Sequence, residues 1–195
     1  MAPRSANPKM DLADLLLDKR DVIIDRWFDA VAQSYPSETA RHLLDNRDQF
    51  HNPVGHTLRR RLPTLLDAVM DRADPSDLAE AVADLVRIRT VQCDTPSQAV
   101  AFVYLLKNIV RELVSAQLTD SRLSAQLREF ESKTDGLALA VFDEFMVCRE
   151  RICEIRVREA QMRTAKLVEQ VNKLYGGVEE STDVVEDEER HAGDS

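Results

Sequence analysis

From Leu123 to Tyr175 the chain runs without a Pro and with one Gly, at Gly136. Strands are usually about five or six residues long and are joined by turns that consume Gly and Pro, so this stretch reads as one very long α-helix. Within it Val141, Phe145, Cys148, Ile152 and Ile155 follow alternating steps of four and three. Ala160, Leu167, Val171 and Leu174 resume the stripe after a phase slip near Glu159. These are coiled-coil spacings with an interruption. Arg149, Glu150, Arg151, Glu154, Arg156, Arg158 and Glu159 surround them with mixed charge that keeps such a helix soluble. Gly176-Gly177 is expected to stop the helix. Residues 176–195, with eight acids and one Arg, are expected to form a disordered acidic tail.

The rest of the chain has the same character. Leu12, Leu16, Ile23, Trp27 and Val31 recur at helical spacing, which predicts a helix from Asp11, its N-cap, to about Gln33, ended by Pro36. Residues 1–10 are expected to lack order, and Ser37 to Gln49 to form a polar connection. Asn52-Pro53 reads as a cap followed by Pro at the first helical position, with Phe50 stapled onto Leu58 or a neighbouring helix. Pro63 is expected to kink that helix near Arg60. Asp74-Pro75 opens the next helix, and Asp94-Thr95-Pro96-Ser97 opens another whose apolar residues, Val100, Phe102, Val103, Leu105, Leu106, Ile109, Val110 and Leu113, nearly encircle it. That one should be the central helix. With only 5 Gly among 195 residues and 44% hydrophobic residues, the composition suits one all-α domain, residues 11–175.

Several function classes lose ground on the same residues. The net charge is −9, of which the tail contributes −7, so there is no basic surface for nucleic acid. No apolar run exceeds the eight residues Ala99–Leu106, which disfavours membrane insertion, and no export signal is visible, so a cytoplasmic location is expected. Cys93, Cys148 and Cys153 form no metal-binding pair, and Cys148 and Cys153 lie on different faces of one helix. His42, His51 and His56 sit in or near polar stretches and His191 lies in the tail, a poor setting for a haem ligand. No phosphate loop, nucleophile elbow or metalloprotease helix is present. Catalytic, cofactor-binding and metal residues are therefore all expected to be none. Lys107, Arg87 and Arg89 suggest an anion cavity, although Lys107 is better read as snorkelling to the surface.

Taken in order, Trp27, Tyr35-Pro36, Phe50-x-Asn52-Pro53-Val54-Gly55, Arg87-Ile88-Arg89-Thr90-Val91-Gln92, Pro96-Ser97-Gln98-Ala99-Val100-x-Phe102, Leu106-Lys107 and Phe142-Asp143-Glu144-Phe145-x-x-x-Arg149-Glu150 form a longer signature. It resembles the N-terminal domain of the RsbRD type of RsbT co-antagonist, over roughly residues 11 to 170. The resemblance implies a globin-like helical bundle without haem, a dimer, and a long terminal helix that passes a signal to a phosphorylatable STAS domain. An acidic tail stands here where that output domain would begin. The expectation is a non-enzymatic sensory or regulatory domain, active in stress signalling through an unknown protein partner. Its homodimer seam would be Phe145, Cys148, Ile152 and Ile155, with the long helix able to extend as a coiled coil. The competing readings are a haem- or small-molecule-binding globin-like sensor and an accessory scaffold of an anaerobic redox complex.

Overall fold

The computed structural model describes residues 11–46, 48–92, 95–117 and 120–191, the last sixteen of these as helical backbone alone. The described residues form seven α-helices and one 3₁₀ turn, with no strand. The helices are α1 (Leu12–Asp18), α2 (Arg20–Gln33), α3 (Ser37–Asp45), α4 (Pro53–Val69), α5 (Pro75–Gln92), α6 (Pro96–Val114) and α7 (Ser121–His191). The 3₁₀ turn, Ser115–Gln117, follows α6. This is an all-α bundle with a long C-terminal helix.

The helix starts are fixed by the residues that the sequence nominated. Asp11 accepts from the Asp14 N–H at 3.0 Å, and Asp74 from both the N–H and the hydroxyl of Ser76. Thr95 and Gln98 form a reciprocal capping box at the start of α6, while Asp94 lies outside the described residues. Three local expectations are corrected. The first helix is broken at Lys19 into α1 and α2. The break adjoins Arg20, whose guanidinium grips Asp67 of α4 at 2.7 and 3.1 Å, a tertiary bond that no local pattern reveals. Ser37–Asp45 is helical, although Leu43 is the one side chain that it buries, too few to set a visible period. Phe50 staples onto nothing: it is 91% exposed, because its N–H is drawn into a turn by the Asp48 carboxylate at 2.9 Å.

Two compact units divide the chain, Met1–Arg149 and Glu150–Ser195. In the first, α2 packs against α1, α3, α4 and α6. Trp27 is fully buried, donates its indole N–H to the Phe102 carbonyl at 2.8 Å and stacks on the Phe102 ring. α6 buries eight residues, in line with its reading as the central helix. The first eight turns of α7 contribute Leu123, Leu127, Phe130, Leu137, Ala138, Val141 and Phe145 to the same core. Ion pairs of Lys107 with Asp135, Arg111 with Glu131 and Lys133 with Asp71 hold them in place. Asp71 occupies the left-handed region, φ 57°, just past α4, where Gly is the usual residue. In the second unit α7 continues through Gly176-Gly177 to His191, which corrects the expected stop. A Gly costs a helix only about 1 kcal/mol relative to Ala, so the pair weakens the helix there without ending it. Residues 192–195 lie outside the described residues.

Between α4 and α5, Asp84 accepts from Arg61 Nε at 2.8 Å, Arg60 at 3.0 Å and Arg87 at 3.3 Å. Burial alone would raise this carboxyl, but the Arg61 hydrogen bond and the charges of Arg61, Arg60 and Arg87 hold it below the usual carboxylate range. A carboxyl depressed in the folded state gives stability that is complete above its unfolded value of about 3.9 and is lost as pH falls below that. The Asp84→Asn variant should therefore be less stable than the parent at neutral pH and should lose less on acidification. Parallel pH–stability curves for the two would contradict this reading.

Candidate protein-interaction surface

The polar residues that the sequence offered as possible chemistry are placed apart and tied to structural partners. His42 and His51 are exposed: His42 donates from Nε2 to the His51 carbonyl at 2.8 Å, and His51 Nδ1 lies 2.6 Å from Asp48. The Phe50 N–H, and then His51, lower the Asp48 carboxyl. His56 is half-buried, none of the three belongs to the apolar core, and the His191 side chain lies outside the described residues. Arg87 reaches Asp84, whereas Arg89 is buried, donates to the Tyr35 hydroxyl at 3.0 Å and the Gln98 carbonyl at 2.6 Å, and lies over the rings of Tyr35 and Phe102. Lys107 pairs with Asp135 at 2.6 Å. Arg89 and Lys107 thus tie α5 and α6 to other elements, Arg87 pairs within α5, and the three do not share a partner. Among the described residues, no three His, Cys, Asp or Glu side chains are grouped as a metal would need.

The residues nominated for a dimer seam do not share one surface. Phe145 is fully buried in the core of the first unit, and Cys148 is half-buried against that core. Ile152 is half-buried and Ile155 is 57% exposed. The seam as drawn from spacing is corrected at its first position, because the same four-three alternation serves a helix packing on its own domain as well as one packing on a second chain. Cys148 and Cys153 are free thiols; Cys93 lies outside the described residues.

What the structure leaves uncovered is further along. Val157, Met162, Leu167, Val168, Val171, Leu174 and Tyr175 are all exposed, and no side chain described between Glu150 and Tyr175 is buried. Val157, Ala160, Thr164, Leu167, Val171 and Leu174 lie at steps of three and four, so they form one stripe along the helix. A second exposed apolar area, which sequence reasoning missed, lies on the first unit, where Tyr104 of α6 stands near Leu139 and Phe142 of α7. Its signal was the offset series Leu139, Phe142 and Met146, a second stripe beside the buried one. Among the described residues no helix is long and apolar enough to cross a membrane.

Residues 21–160 match the family described as the RsbT co-antagonist protein rsbRD N-terminal domain. The chain belongs to that family. The match runs from α2 to the middle of α7 and takes in Val157 and Ala160 of the exposed stripe, while Thr164, Leu167, Val171 and Leu174 fall outside it. No curated protein and no solved structure matches the chain. The family is one of regulatory sensor domains.

Proposed function

We propose that this rsbRD-type domain regulates through protein–protein contact, with no chemistry of its own, and that its first partner is a second copy of the chain. The carrying observation is the exposed stripe from Val157 to Leu174. Soluble proteins scatter exposed apolar residues singly, and a continuous exposed series marks an interaction surface. A helix that buries none of its side chains also lacks the packing that supplies most helical stability in proteins. A second α7 laid on the stripe provides that packing. The family description names a co-antagonist of RsbT, and the reading for this chain is accordingly a paired regulatory module that presents two identical domains to a signalling protein.

Leu167 is 61% exposed, so replacing it with Glu removes nothing from the core of a single chain. In a dimer the Leu167→Glu variant places two charges in an apolar seam, at a cost of several kcal/mol. Light scattering should report half the parent's mass, with thermal unfolding of the Met1–Arg149 unit unchanged. A variant with the parent's mass would exclude this stripe as the contact.

A further inference from the structure

We propose that Arg89 anchors a binding site for a small oxyanion, a phosphate or carboxylate group, between Tyr35, the last turn of α5 and the first turn of α6. Arg89 is 6% exposed. Its guanidinium donates to the Tyr35 hydroxyl at 3.0 Å and to the Gln98 carbonyl at 2.6 Å, both uncharged acceptors. Among the described residues no carboxylate pairs with it, and its Nε is buried without an acceptor. Guanidinium groups stay charged when buried, and buried charges in proteins are normally paired. Arg20, Arg61 and Lys107, by contrast, each reach a carboxylate.

The surroundings compensate that charge only in part. Its place in the last turn of α5 sets Arg89 near the negative end of that helix, and the rings of Tyr35 and Phe102 lie 5.3 and 5.5 Å from the guanidinium. Neither supplies a full negative charge. The Gln98 carbonyl that it also contacts belongs to the first turn of α6, a helix of 19 residues whose start is positive and whose first turn holds no acidic residue. The capping box there, Thr95 and Gln98, is uncharged as well. A buried guanidinium set against the positive end of a helix leaves two positive potentials that one anion would relieve together. The planar fork of Arg matches the paired oxygens of phosphate and carboxylate. Thr95 and Gln98 are exposed and Tyr35 is half-buried, so the terminal nitrogens lie close to the surface, where a ligand can arrive. Such a site gives the regulatory domain a small-molecule input that does not depend on pairing along α7.

Thermal unfolding of the 195-residue chain, titrated with sodium phosphate or sodium acetate against sodium chloride at equal ionic strength, tests the proposal. At least one of the two oxyanions should raise the Tm by about 5–10 °C at roughly a hundredfold excess over its Kd. Which of them does so identifies the group as phosphate or carboxylate. Phosphate also stabilises folded proteins generally, by exclusion from their surface, so the decisive quantity is the difference between the parent and Arg89→Met. In Arg89→Met the specific rise should be lost. Arg89→Lys keeps the charge without the fork, serves if the Met variant does not fold, and should need about tenfold more anion for the same rise. Leu167→Glu should respond as the parent does. An equal rise in the parent and Arg89→Met, or none in the parent, would rule the site out. Asp94 lies outside the described residues, and Asp94→Asn tests whether it supplies the missing charge. The variant should keep the parent's response, and an oxyanion-specific rise in Asp94→Asn that the parent lacks would overturn the proposal.

Discussion

Replacing Phe145 with Ala should destabilise the domain by about 3–5 kcal/mol, the usual cost of emptying the space of a fully buried aromatic ring, and should leave the oligomeric mass unchanged. Phe145 has no exposed surface and sits among the core residues contributed by α7. Its loss therefore opens a cavity inside one chain and removes nothing from the surface along which a second chain would lie. Denaturant unfolding read beside light scattering separates the two roles. A folded Phe145→Ala monomer with nearly parental stability would return Phe145 to the dimer seam.

The Asn52→Ala variant should lose a comparable amount, about 3 kcal/mol, from a polar residue. Asn52 is 2% exposed, and its Oδ1 accepts from the Gly55 N–H at 2.8 Å as the cap of α4. Its Nδ2 donates to the carbonyls of Asn46 at 2.7 Å and Leu43 at 3.1 Å, closing the end of α3. A lost cap costs about 1 kcal/mol, and the Asn46 carbonyl left without its donor costs about 1–3 kcal/mol more, while the Leu43 carbonyl keeps Arg59 at 3.4 Å. Asn52→Asp keeps the capping oxygen but carries no N–H, so it should fail to restore stability. Gly55 is bound to the same design, since a Cβ there would lie 2.3 Å from Asn52 Nδ2. A loss near 1 kcal/mol in Asn52→Ala, rescued by Asp, would reduce Asn52 to a simple cap.

Asn52 also illustrates how much was legible in the sequence. Its cap follows from the Asn-Pro pair because capping is local chemistry, and the same holds for Asp11, Asp74 and Thr95. Its second role, tying α3 to α4, rests on backbone carbonyls that carry no residue identity and cannot be read from side-chain order. α3 itself was invisible for a related reason, as one buried Leu makes no period. The break at Lys19 needed the Arg20–Asp67 bond across 47 positions. Phe145 and Leu167 lie on stripes of the same spacing, and spacing states that a face is apolar without stating what covers it. For Phe145 the cover is α7's own domain, whereas Leu167 is left exposed. Gly176-Gly177 looked like a terminus because Gly is the commonest residue beyond a helix end, but its intrinsic cost is small enough for a helix to continue across it.

The central claim, that a second copy covers the stripe from Val157 to Leu174, is tested most directly by the mass of the unaltered 195-residue chain in solution. Sedimentation equilibrium over a wide concentration range should give twice the 22.1 kDa of one chain. A value of 22.1 kDa that persists to high concentration would contradict it.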